Sequence, residues 1–211
     1  RRIFTELERR IIKPFLEHED FGWMGYNPGA VLNNWNTWIV SNLTSVFLLT
    51  KMEPFLRQKG ILKLMVCTDR FLKAYPADGG CDEGTTYWQQ AGGSLFDTLD
   101  QLYHASGGQI DFGDNPLIRE IGRFIFRAHI SGNYFINFAD GAAIVSLNPD
   151  LVYRFGRYIK DEKMMGLAAE IKPSYNQKGV PPPLMRVIPS LFNYKELQEC
   201  SYTRPFERDV W

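Results

Sequence analysis

Apolar residues recur with a helical period over most of the first 130 residues and divide that stretch into five amphipathic helices. Ile3, Leu7, Ile11 and Phe15 fall at a strict four-residue spacing and predict a first helix over residues 2–18. A second is expected from Asn34 to Thr50, with Trp35, Trp38, Ile39, Asn42, Leu43, Val46 and Phe47 on one side. Pro54 suits the first turn of a third, which carries Leu56, Ile61, Leu64, Met65, Phe71 and Leu72 to about Tyr75. A fourth begins at Thr85 or Thr86 and carries Trp88, Ala91, Leu95, Leu99 and Leu102. Pro116 opens a fifth with Leu117, Ile121, Phe124, Ile125 and Ala128.

The pattern then changes. Residues Tyr134 to Gly141 form a short apolar stretch closed by an Asp-Gly turn pair, a strand or extended rim rather than a helix. Helix resumes after Asn148-Pro149-Asp150 through Val152, Phe155 and Tyr158, and again with weaker periodicity from Asp161 to Ile171. The segment from Lys172 to Pro189 contains five prolines and reads as extended or irregular. The expected architecture is all-α: a helical domain over residues 1–171 and an irregular, Pro-rich tail over residues 172–211.

Helices joined by short connections pack antiparallel, so the second and fourth helices should point the same way. That places Asn34 and Tyr87 on one face of the array. The longer connections emerge on that face as well, at residues 20–33, 77–84 and 130–148, whereas Lys51-Met52-Glu53 on the opposite face is a minimal link. Elaborate loops on a rigid scaffold are where function concentrates.

Composition narrows the classes of function. In 211 residues, 45% are hydrophobic, enough for a substantial core. Lys and Arg total 24 against 24 Asp and Glu, so no overall field recruits nucleic acid or an anionic membrane. Cys67, Cys81 and Cys200 have no metal-binding spacing, and neither metal nor cofactor is expected. Trp38 to Thr50, the most apolar run, is too short and polar to span a bilayer. Arg1-Arg2-Ile3 already lies inside an amphipathic pattern rather than a signal peptide, and Arg204 to Trp211 reads as a chain entering a further segment. Both ends are expected to be cuts.

Two polar clusters carry the candidate chemistry, Asn33-Asn34-Trp35-Asn36 and Asp78-Gly79-Gly80-Cys81-Asp82-Glu83-Gly84-Thr85-Thr86-Tyr87-Trp88. Amides, carboxylates, a phenol and indoles at helix starts suit the gripping of sugar rings and acid groups. Each residue also has a plain structural reading. Asn34 can be an N-cap bonding the N–H of Asn36 or Thr37. Tyr87 can be a core aromatic, Trp88 lies on an apolar stripe, and Asp78 suits a turn. Trp23 and Tyr26, in a Gly-rich loop, and Trp35 are candidate sugar platforms or loop aromatics that cap the core. Glu83 can hold Tyr87 or contact sugar hydroxyls. Arg119, Arg123 and Arg127 form a four-spaced stripe able to attract a polyuronate or simply to face solvent. His129, just beyond, is placed at the rim, where it can be a positive partner for Tyr87 or, as a lone histidine, simply structural.

The Asn-Asn-Trp-Asn helix start, the Asp-Gly-Gly-x-x-Glu-Gly-x-x-Tyr-Trp stretch and Asn137-Phe138-Ala139-Asp140-Gly141, in that order, resemble the heparinase II/III superfamily of polysaccharide lyases. Related alginate lyases share the helical part of that architecture. The resemblance runs from about Gly22 to the C-terminal Arg-Asp-Val-Trp. It implies a partial (α/α) toroid, cut from a longer protein, that leads toward a β-sandwich domain lying beyond this chain. It also implies β-elimination on an acidic polysaccharide such as a glycosaminoglycan or alginate, in the periplasm or outside the cell. Asn34 matches the residue that neutralises the uronate carboxylate and Tyr87 the proton-transfer residue; Trp35, Trp23, Tyr26, Glu83, Trp88 and His129 are the expected substrate contacts. The family commonly draws a histidine or second tyrosine from the β-sandwich, so catalysis is expected to need that domain. Where relatives place histidine after the asparagine, this sequence has Trp35. Two other classes stay open: an inverting glycosidase on such a toroid, using Asp78, Asp82 or Glu83, and a non-catalytic glycan-binding domain.

Overall fold

The computed structural model describes residues 2–27, 29–171 and 184–200, and these are mostly helical. The first helix is α1 (Arg2–Leu7), a π turn (Glu8–Ile12) and α2 (Lys13–Glu17) in unbroken succession. Pro14 has no N–H to give the preceding turn, and the ladder widens just ahead of it, Lys13 donating to the Glu8 carbonyl. Then follow α3 (Asn34–Leu49) and α4 (Pro54–Ala74). They form an antiparallel hairpin: the Asn36 amide meets the Cys67 carbonyl at one end, and Arg57 bonds the carbonyls of Phe47 and Thr50 at the other.

Helix α5 (Gly92–Ala105) flanks α3 on its other side. The two run parallel, as the loop lengths require. Thr37 donates to the Gln90 carbonyl near one end, and Gln101 bonds Ser45 and the Ser41 carbonyl further along. Helix α6 (Pro116–Arg127) is capped by Asn115 and leads into a hairpin of β1 (His129–Ser131) and β2 (Tyr134–Phe135). Helices α7 (Pro149–Tyr158), α8 (Glu162–Glu170) and α9 (Leu184–Glu199) pack on one another. A large core centres on Trp88, Phe96, Ile121, Ile125 and Phe155, and a second joins Phe15, Met24, Val40, Phe47 and Leu64 under α2, α3 and α4. Among the described residues no helix is long and apolar enough to cross a membrane.

Three elements depart from expectation. The fourth predicted helix does not start at Thr85 or Thr86: Tyr87–Gln89 is a single 3₁₀ turn, and the α-helix begins at Gly92. Trp88 is fully buried with its indole N–H on the Ile121 carbonyl at 2.8 Å. The indole also crowds Gly92, where a Cβ would come within 2.9 Å of Nε1. Long-range packing of one tryptophan has overridden the local helical period. The second departure is in the expected strand: only Tyr134 and Phe135 of that stretch pair, with a β1 that the pattern did not announce. The third is in the tail, where residues 184–199 are helical with Pro189 inside the helix. Tertiary contacts account for it, because buried Arg186 ties α9 to Asp97 of α5 and Glu196 ties it to Arg157 of α7. The remainder of the tail, residues 172–183 and 201–211, lies outside the described residues, as does the segment expected to lead toward a β-sandwich.

Candidate functional site

The N-cap of α3 is Asn33, not Asn34. Its side chain accepts the Trp35 N–H at 3.2 Å. Asn34, the first helical residue and 4% exposed, is thereby released for another task. Its side-chain Nδ2 donates to both carboxylate oxygens of Glu83, at 2.7 and 2.8 Å, and its backbone N–H points at the same Oε1 from 3.4 Å. The two sequence clusters therefore meet through a carboxylate, gripped where the helix dipole favours negative charge. Asn36 and Thr37 complete the junction: Asn36 donates to the Trp23 carbonyl at 2.7 Å, and Thr37 to that of Gln90 at 2.9 Å.

The second loop is built to present Glu83. Asp78 closes its own turn by accepting the Gly80 N–H at 2.9 Å, the structural role weighed for it above. Gly84 has φ +88, and a Cβ there would lie 2.6 Å from the Phe138 carbonyl oxygen. Only glycine lets the loop pass so close to residues 138–141. Thr86 then accepts the Ala142 N–H at 2.8 Å, and Gln89 bonds the Ser146 carbonyl and the Asn148 N–H. All three long connections are thus tied together at one rim, with Tyr87 half-buried in the turn between Thr86 and Gln89.

Two phenols flank this loop, Tyr75 at the end of α4 and Tyr87 in the 3₁₀ turn. Burial, aided by neighbouring Cys81 and Asp82, holds Tyr75 well above the usual phenol range. Burial likewise pushes the Cys81 thiol up to about 12. Both stay protonated and neutral at physiological pH. Tyr75 went unmarked in the sequence because it ends the stripe of α4, where an aromatic reads as core. Beside it a narrow cavity of about 30 Å³ is lined by Leu32, Asn33, Asn34, Tyr75 and Asp82. It is too small for a sugar ring, so a ring must lie outside it. A wider, largely apolar groove of about 380 Å³ runs alongside, between Pro76, Asp82, Phe124 and Phe138.

The aromatic candidates divide. Trp35 is 55% exposed at the start of α3 and stacks on Trp38, ring centroids 5.5 Å apart, so the pair presents open indole surface beside Asn34. Trp23 is half-buried and stacked between Phe15 and Phe21, and Tyr26 lies under the Arg70 guanidinium, 4.1 Å from its ring centroid. Both cap the smaller core. Trp88 is fully buried, which removes it from the surface expected to meet a substrate. His129 is corrected in the same sense: it is 4% exposed rather than at the rim, with Nε2 2.9 Å from the Gly132 carbonyl and its ring against Phe135. The arginine stripe of α6 is met by acids, Arg123 by Asp161 and Glu120, Arg127 by Glu120, and Arg119 more distantly by Asp114. Neither the protein-family models nor the curated proteins with which the sequence was compared provide a match.

Proposed function

We propose that the chain is the helical part of a polysaccharide lyase that cleaves a uronic-acid glycan by β-elimination, arranged as a partial (α/α) toroid and completed by a β-sandwich. The reading places the protein in the periplasm or outside the cell, where such polysaccharides occur. Removing the proton at C5 of a uronate adds negative charge beside a carboxylate, and that charge must be offset as it develops. Asn34 supplies amide hydrogens and the N-terminal dipole of α3 for this purpose. Tyr87, as phenolate, takes the C5 proton; the C4–O4 bond breaks as the C4=C5 double bond forms, and O4 leaves with the proton held by Tyr87. Trp35 and Trp38 offer a platform for a neighbouring ring.

The observation that carries the reading is the Asn34 amide closed on the Glu83 carboxylate at 2.7 and 2.8 Å. A buried amide at this helix start makes with an internal carboxylate the contact that the reaction needs with the substrate's. The same observation supports a second reading, a glycan-binding domain without turnover, since the Asn34 amide is already engaged by an internal carboxylate. A paired-carboxylate hydrolase is less well supported, because Asp78 is spent on its turn and Glu83 on Asn34.

Ultraviolet absorbance of the unsaturated uronate, recorded on a panel of uronate polysaccharides, separates these readings. The lyase reading expects absorbance to rise with wild-type protein, and Tyr87→Phe to bind the glycan normally while turning over about a thousandfold more slowly. Binding without any absorbance change would favour the non-catalytic domain. Cleavage without absorbance change would favour hydrolysis.

A further inference from the structure

The Asn34 side-chain nitrogen lies opposite both oxygens of one carboxylate, so a single N–H is shared between them and the second amide hydrogen points away from Glu83. Among the described residues no lysine or arginine pairs with Glu83, whose charge is met by the Asn34 N–H groups and the dipole at the start of α3. Among the described residues, the side chains that meet it are neutral or negative. Its own loop contributes Asp82, whose Oδ1 accepts the Glu83 N–H at 3.0 Å, and Cys81, a thiol kept protonated by burial. From α3 comes Asn34, and the narrow cavity beside Asn34 is lined by Asn33, Asp82 and Tyr75, a phenol also held neutral. A uronate bound to Asn34 brings a second carboxylate to the same amide. Two ionised carboxylates cannot share one neutral donor without strong repulsion, and a pair so placed retains one proton between them.

We infer that Glu83 is a further catalytic residue of this site, the acid that holds a proton against the uronate carboxylate and, with Asn34, offsets the charge formed at C5. The inference rests on the lyase reading. In the complex one Asn34 hydrogen stays on Glu83, the other turns to the uronate, and the Glu83 proton hydrogen-bonds the uronate oxygen. When Tyr87 removes the C5 proton, the electron pair passes into the carboxylate and draws the Glu83 proton closer. As that pair returns to form C4=C5 and expel O4, the proton falls back to Glu83. O4 departs with the proton taken by Tyr87, so neither side chain is consumed.

Glu83→Gln keeps a permanent hydrogen-bond donor, and Glu83→Ala removes it. The test is kcat/KM for unsaturated-uronate formation by wild type and both variants across a pH series, with circular dichroism and thermal melting as controls for folding. At the acid end Glu83→Gln is expected within about tenfold of wild type, and Glu83→Ala about a hundredfold or more below it. The ratio of Glu83→Gln to wild type should then climb with pH, by about tenfold per unit once the wild-type pair loses its shared proton. Taking the ratio cancels any pH dependence that the two proteins share. If Glu83→Ala fails to fold, the pH course of that ratio alone decides. A flat ratio overturns the inference, as would both variants outpacing wild type at every pH, the mark of a carboxylate that merely competes for Asn34. Wild type that forms no unsaturated ends overturns the lyase reading and this inference with it; unsaturated ends with a flat ratio overturn the inference alone.

Discussion

Asn34 illustrates how one hydrogen-bond assignment alters what a residue can do. In the sequence it is one of two asparagines at a helix start, and either can cap. Asn33 takes the cap, because its extended backbone (φ −130) aims the side-chain oxygen back at the Trp35 N–H. Asn34 is left buried with an amide that must find an acceptor, and Glu83 supplies it from 49 positions along the chain. No pattern of polar and apolar positions encodes that choice, although the convergence of the two clusters was readable from loop lengths. Asn34→Asp, which keeps the shape and turns the donor into a second carboxylate, tests the assignment. The two carboxylates are then forced to share a proton, so their folded-state protonation lies above that of the unfolded chain. Their contribution to stability is retained at low pH and lost as pH rises through the folded value. Thermal melts should therefore show the variant near wild type in acid and about 1–3 kcal/mol less stable at neutral pH. A pH-independent difference would show that Asn34 and Glu83 do not meet.

At the scale of elements, the helices that the hydrophobic period announced are those that end on local signals: Asn115 and Pro116 for α6, Asn148 and Pro149 for α7, Asp161 for α8. Where the deciding contact is distant, the period misleads. Trp88 falls on a helical stripe, yet its indole needs the Ile121 carbonyl, and the helix waits until Gly92. Pro189 argues against helix locally, yet α9 forms through Arg186 and Glu196. The loop carrying Glu83 is of the same kind. Its shape depends on Gly84 at φ +88, lying against the 138–141 segment. Gly84→Ala should cost about 1–3 kcal/mol of stability and push Glu83 off Asn34. Denaturant unfolding gives the first quantity. A change in fluorescence at the Trp35–Trp38 pair reports the second, and an unchanged spectrum with unchanged stability would mean that the loop has room to spare.

At the scale of the whole molecule, α9 reaches back across the array to the turn that holds Tyr87. Arg186 bonds Asp97 and the Gln89 carbonyl, both at 2.7 Å, and Ser94 at 3.1 Å; Arg154 joins Asp100 and Asp150 to the same buried network. Burial raises the Asp97 carboxyl above its ordinary range, and Arg186 is foremost among the groups that oppose that rise. Removing the guanidinium while keeping the stem, in Arg186→Met, leaves that carboxylate to the more distant Arg154 guanidinium at 3.7 Å and should cost about 3–5 kcal/mol. The expected readout is early protease cleavage within α9 and a lower melting temperature; a variant as resistant and stable as wild type would mean that α9 does not secure the rim. The rim in turn is the seat of the proposed reaction, and elimination differs from hydrolysis in one atom count. Digestion of a uronate polysaccharide in heavy-oxygen water, followed by mass spectrometry of the fragments, reads that count directly. Elimination predicts fragments whose masses, read before the new reducing end exchanges its oxygen with water, sum to the parent with no heavy oxygen in the unsaturated end. Fragments heavier by one water, bearing heavy oxygen, would contradict it.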